Sequence, residues 1–217
     1  MATAPNGPLG HHQGKVGNIV YYMLNGQPVA RNIGRSTKPP TEDQKQHRRK
    51  LKVVNTFLKT FKDFINIGFQ GLTRGTKQNA FNLASKANFH HILKGEYPDY
   101  QIDYSRLMLS QGPLKPAANA SVKVEGDGLL FNWETDPMML YAESTEQAML
   151  LAYFPEEEQQ INTPFGALRQ SGTAVLPLPE NLREAYMEVY ISFISADRSQ
   201  VADSVYLGSL NGHEQED

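Results

Sequence analysis

The chain is 217 residues long with 40% hydrophobic and 20% charged residues, enough for a folded core and too apolar for a wholly disordered chain. It contains no cysteine, which excludes disulfides, thiolate metal sites and cysteine nucleophiles. The net charge of -2 conceals a split: residues 1–100 carry 15 Lys and Arg against 5 Asp and Glu, a net of +10, and residues 101–217 carry 6 against 18, a net of -12. Such a dipolar chain suits a polyanionic partner for its basic half, head-to-tail association of copies, or simply two separate solvated surfaces.

Residues 1–15 are rich in Gly, Pro and His and read as a flexible arm. They lack a basic n-region followed by an apolar h-region, so no secretory signal is expected, and cytoplasmic or virion/particle-associated placement is favoured. No apolar run is long enough for a membrane span. Residues 16–33 predict a β-hairpin. Val16, Ile19, Val20, Tyr21 and Tyr22 are strand formers, Asn25-Gly26 is the favoured pair for a tight turn, and Pro28 marks an edge on the return strand. A two-stranded hairpin is marginal alone in water, so it needs cover.

A turn-rich joint over 34–40 leads to Thr41-x-x-Gln44, a capping box with the acidic pair Glu42 and Asp43 in the first turn. Leu51, Val54, Leu58, Phe61 and Ile65 then recur at helical spacing, flanked by Phe57 and Phe64, and predict one helix of about six turns stopping at Gly68. A second helix is expected over 76–93, burying Ala80, Leu83, Ala84, Ala87 and Ile92, and pairing antiparallel with the first.

From Asp103 the pattern changes to short apolar runs broken by Gly, Pro, Asn and Asp. Strands are expected over 107–110, 120–124, 129–133, 148–154, 173–178, 186–195 and 201–207. The expected fold is therefore α+β: an arm (1–15), a β-hairpin with a two-helix unit (16–100), a seven-stranded immunoglobulin- or fibronectin III-like β-sandwich (101–210) and an acidic tail (211–217).

Two resemblances, and a looser third, accompany this reading. Residues 103–210 resemble a fibronectin type III domain, with Trp133 ending an early strand and Leu176-x-Leu178-Pro179 leading to Tyr186. That resemblance implies a tyrosine corner, the Tyr186 hydroxyl bonding upstream backbone. Gly14-x-x-Gly17-Asn18-x-Val20-x-Tyr22, Asn25-Gly26, Arg31, Thr41-x-x-Gln44, Arg48 or Arg49, Asn79-Ala80-Phe81 and Ile102-Asp103-Tyr104-Ser105 together resemble an uncharacterised bacterial family without an assigned activity. The hairpin, Arg, Pro, Thr, Gln and Arg succession is also similar to short proteins of phage-like gene clusters, which implies a structural or assembly role.

Chemistry-bearing motifs are absent. His11-His12 and His90-His91 are adjacent pairs whose side chains diverge, and no H-x-x-x-H or HExxH spacing occurs. Glu156-Glu157-Glu158 lacks the spaced oxygens and turn glycine of an EF-hand loop. No G-x-S-x-G elbow exists, and the glycines of residues 71–77 lack the G-K-[ST] ending of a phosphate loop. Phe57 and Phe61 lie on the apolar helix stripe and read as core rather than as a stacking platform.

The expected protein is therefore non-enzymatic, with no cofactor and no metal. It self-associates into an oligomer or polymer through Val16, Ile19, Tyr21, Tyr22, Asn25, Gly26 and Arg31, by edge pairing and by matching of the +10 and -12 halves. Two alternatives stand beside this. One is a nucleic-acid-associated protein using Arg35, Arg48, Arg49, Lys50 and Lys52 against phosphates; the other is a carbohydrate- or protein-binding module on sandwich loops bearing Tyr141, Tyr153 and Phe165.

Overall fold

The computed structural model describes residues 3–4, 10, 12–24, 26–34 and 38–212. The chain divides into two compact units, residues 1–42 and 43–217. The first unit holds β1 (Gly14–Val16), β2 (Ile19–Leu24) and β3 (Gln27–Asn32), an antiparallel sheet in the order β1-β2-β3. The expected two-stranded hairpin thus gains a third strand. Gly17, at a φ of +57°, makes the tight turn with Asn18 that returns Val16 onto Ile19, so pairing reaches back into the expected arm. Thr3 and Gln13 exchange both backbone hydrogen bonds at 2.7 Å.

The second unit opens within the first turn of α1 (Glu42–Leu58), followed by a 3-10 turn over Lys59–Phe61 and α2 (Lys62–Gly68). The expected single helix therefore carries a tightened turn in its middle, but Val54, Leu58, Phe61 and Ile65 of its apolar stripe are all fully buried; Leu51, expected to open that stripe, is exposed. A short α3 (Gln70–Thr73) precedes α4 (Ala80–Asn88), whose first turn is capped by the Asn79 side chain accepting from the Asn82 N–H at 2.8 Å. The second helix is thus shorter than the expected 76–93, and His90 and His91 lie in the turn after it. β4 (Leu93–Lys94) and β5 (Gln101–Ile102) pair as a small antiparallel ladder.

The remaining strands are β6 (Ser121–Glu125), β7 (Gly128–Asn132), β8 (Gln147–Phe154), β9 (Gln159–Thr163), β10 (Thr173–Pro177), β11 (Met187–Ile194) and β12 (Val205–Leu210), with a one-turn α5 (Tyr141–Ser144) before β8. They form two antiparallel sheets, β10-β7-β6 and β12-β11-β8-β9. Residues 107–110, expected as a strand, are irregular. Asn88 serves them instead of a ladder: its side-chain amide donates to the Met108 carbonyl and its oxygen accepts from the Met108 N–H, both at 2.9 Å. β9 was not anticipated, because QQINT is polar on an edge, and the last strand lies over 205–210 rather than 201–207.

The central strands explain the layering. Along β8, Ala148, Leu150, Ala152 and Phe154 face one core and Met149, Leu151 and Tyr153 the other. β11 divides likewise, with Met187, Val189, Ile191 and Phe193 on one side and Tyr190 and Ile194 on the other. The first core includes Leu129 and Phe131 of β7 and Leu176 of β10; the second includes Val54, Leu58, Phe61, Phe64 and Ile65 of the helices. The four-stranded sheet is therefore covered on both faces, which is why β8 and β11 read as near-continuous apolar runs. The same sharing puts helices and sheets in one compact unit across residue 100, where the sequence suggested a boundary.

Candidate assembly surface

Register assigns the side chains of the first sheet to its two faces, because cross-strand partners share a face. Val16 and Ile19, Tyr21 and Ala30, and Met23 and Pro28 form one face. Lys15, Val20 and Arg31, then Tyr22 and Val29, then Leu24 and Gln27 form the other. Arg31 sits over the Tyr22 ring at 5.8 Å from its centroid, and His12 lies 5.8 Å from Tyr21. No described residue of 1–42 is buried. Val16 is 50% exposed, Leu24 53%, Met23 40% and Ile19 37%.

Of the expected interface residues, Val16, Ile19, Tyr21, Tyr22, Gly26 and Arg31 all lie on this sheet or its turn, and Gly26 takes a φ of +81°. Asn25, like Arg35 and His11, falls outside the described residues. Met23, Leu24 and Lys15 were not singled out in the sequence, although their alternation with Tyr22 along β2 and their pairing with β1 complete the two faces.

The basic residues of α1 do not form one patch. Arg49 and Lys52 line a groove of about 330 Å³ with Phe57, Tyr153 and Glu158, and Arg49 Nε donates to the Pro98 carbonyl at 3.5 Å. Lys50 turns to another groove, with His47, Phe89 and His90, and lies 5.4 Å from the Tyr100 ring centroid. Arg48 is exposed.

The expected aromatic loop cluster is not assembled, and this reading is corrected. Tyr153 is core, with its ring against Phe57, Phe61 and Tyr104. Burial pushes its hydroxyl up to about 12. Phe165 is half-buried under Arg198, 4.0 Å from its centroid. Only Tyr141 stands out in solvent, at 85% exposure. The tyrosine corner is also absent, because the Tyr186 hydroxyl donates to the Glu188 carboxylate two residues on.

Glu188 was missed in the sequence because it reads there as an ordinary alternating polar residue. It is 2% exposed and accepts from both Tyr186 and Tyr206, the latter at 2.6 Å. Burial and the neighbouring carboxylate raise both tyrosines above their ordinary values. Arg169 was also missed. It is 5% exposed, pairs with Glu146 at 2.7 Å, donates to the Lys115 carbonyl, and stacks 3.6 Å from the Phe193 centroid. Both arrangements are internally satisfied and belong to packing.

A cleft of about 580 Å³ is lined by Gly71, Leu72 and Arg74 and by residues 111–113, 199–201 and 203. Among the described residues no group of three His, Asp or Glu is placed to hold a metal ion. No described helix is long and apolar enough to cross a membrane. The first sheet with its turn carries six of the seven residues expected at the assembly interface, and none of its described residues is buried.

No curated protein matches this chain. The family of unknown function DUF6266 matches residues 11–208, and the chain, matched along most of its length, belongs to that family.

Proposed function

We propose that this chain is a non-enzymatic structural protein that self-associates through its N-terminal sheet, as a component of a filament, tube or phage-like particle. The reading rests on one observation: a three-stranded sheet carries Val16, Ile19, Met23 and Leu24 at 37–53% exposure, and none of its described residues is buried. Three strands without a packed face are not stable alone, so the sheet takes its cover from a neighbouring copy. The +10 and -12 halves favour unlike surfaces meeting, and the β10-β7-β6 and β12-β11-β8-β9 sheets form the body as a fibronectin III-like sandwich that spaces the assembly.

Deleting residues 1–33 leaves the second unit with both its cores. Light scattering should then report a fall to the monomer mass, and an unchanged oligomeric state refutes the reading. Electron microscopy of the full chain distinguishes filaments, rings and particles. Raising salt until the Debye length falls below about 8 Å should loosen the assembly.

A second reading, polyanion binding, draws on the two grooves beside α1, where Arg49 and Lys52, and Lys50 with His47 and His90, neighbour aromatic rings. A titration with single-stranded nucleic acid at two salt concentrations tests it, and binding without salt dependence, or none, dismisses it.

A further inference from the structure

Exposed large apolar side chains concentrate in two places among the described residues. One is the N-terminal sheet. The other is the loop before β8, where Met138, Leu140 and Tyr141 are 87%, 75% and 85% exposed. Three large apolar side chains at that exposure within four residues mark a contact site in a folded protein.

The loop is built to hold these side chains out. The Met138 N–H donates to the Asp136 carboxylate at 2.8 Å and the Met139 N–H to the Asp136 carbonyl at 3.0 Å. The Ser144 N–H returns to the Leu140 carbonyl at 2.9 Å, closing the turn of α5. Behind it, Lys115 reaches Glu143 at 3.0 Å, and Glu146 is locked to buried Arg169. The tip is thus ordered before any partner arrives, which lowers the entropy cost of docking.

Charge identifies the partner. From 134 to 146 the loop and its roots contain Glu134, Asp136, Glu143 and Glu146 and no cation. Glu143 and Glu146 are matched by Lys115 and Arg169, whereas Glu134 and Asp136 have no ion pair among the described residues. Conversely, residues 1–41 contain Lys15, Arg31, Arg35 and Lys38 and no carboxylate. On one face of the first sheet Lys15 and Arg31 stand on either side of Val20 at one end, and half-exposed Tyr22 and Val29 lead to exposed Leu24 beside Gln27 at the other, an apolar strip with a cationic end. An apolar tip with an anionic root at Glu134 and Asp136 is its complement. The acidic flanks also disfavour an anionic lipid surface.

We propose that Met138, Leu140 and Tyr141 of one copy seat on the Lys15–Arg31 face of the N-terminal sheet of the next. This rests on the self-association reading and gives one face of that sheet, the one bearing Leu24, its partner; Val16, Ile19 and Met23 lie on the opposite face. The contact joins two different surfaces, so each copy carries one of each and assembly propagates head to tail.

The test uses full-length chains. A loop variant carries Met138→Ser, Leu140→Ser and Tyr141→Ser; a sheet variant carries Leu24→Thr and Arg31→Glu. All five positions are exposed, so the folded units should persist. Each variant alone should associate at least about tenfold more weakly than the parent in sedimentation. Mixed, they should form a one-to-one dimer and grow no further, because only one intact loop and one intact sheet remain. A mixture that stays monomeric overturns the proposal. If the loop variant assembles like the parent and the sheet variant does not, this proposal falls and sheet-mediated assembly stands. If both assemble like the parent, both readings fall.

The lack of native cysteine permits a second measurement. Leu24→Cys and Leu140→Cys, in separate chains, should cross-link on mild oxidation, and absence of that link overturns the proposal. A chain carrying both that links within itself at high dilution shows the loop covering its own sheet, which also overturns it.

Discussion

Replacing Arg169 by Met tests the energetics of the second unit most directly. Arg169 and Glu146 are 5% and 6% exposed and meet at 2.7 Å, with Arg169 also holding the Lys115 carbonyl and the Phe193 ring. Met keeps most of the apolar volume and removes the cation, leaving a buried carboxylate unpaired at a cost of about 3–5 kcal/mol. In a unit of this size that corresponds to a fall in Tm of roughly 6–20 °C. The pH dependence carries the diagnosis. Burial pushes the Glu146 carboxyl above its usual 4.5, and the charge and hydrogen bond of Arg169 oppose that shift. Without Arg169 the folded-state value rises further above the unfolded one. A carboxyl so raised favours folding at low pH, and that contribution is lost as pH climbs from the unfolded to the folded value. The deficit of Arg169→Met, measured by urea unfolding, should therefore be smaller at about pH 5 than at about pH 8. Pairing it with Glu146→Gln should cost less than the two changes separately, by about 0.5–3 kcal/mol. A deficit below about 1 kcal/mol, or an identical deficit at both pH values, would show that burial of this pair is not what sets its energy.

Three further outcomes follow from packing. Phe61→Ala opens a cavity where helix stripe and sheet meet and should lose about 3–5 kcal/mol in chemical denaturation. Gly68→Ala drives a Cβ into the Leu109 carbonyl oxygen and the Ser110 side chain, forcing α2 and residues 107–110 apart; a loss of about 1–3 kcal/mol is expected, and unchanged stability contradicts that close approach. Tyr206→Phe removes a hydroxyl donor from buried Glu188 and should cost about 1.5–3 kcal/mol, whereas Tyr141→Phe, at an exposed ring, should leave stability unchanged in the same thermal scan.

Local patterns were legible where one physical signal dominates. The Asn25-Gly26 pair and the β-branched and aromatic run before it marked β2 and β3, and the 3.6-residue recurrence from Leu51 to Ile65 marked the first helical stretch with its stop at Gly68. Residues 107–110 misled because an apolar run records burial, not pairing: Leu107 and Leu109 are core, while their backbone is served by Asn88 and Ser204. β9 escaped notice because an edge strand needs few apolar residues. Of the N-terminal sheet, the sequence showed the strand residues but not that Lys15 and Arg31 share a face with Val20, Tyr22 and Leu24, which depends on register with β1.

Composition and periodicity alone thus determined the charge polarity, the absence of thiol chemistry, the opening strands, the helix stripe and the change to short strands after Asp103. Those properties depend on residues close in the chain. Only the tertiary structure decided that helices and sheets share a core, that Tyr153 is interior while Tyr141 is not, and that Glu188 and Arg169 are sealed among partners up to dozens of residues away. Burial is set by what other segments bring alongside, and the sequence of one segment carries no record of its cover.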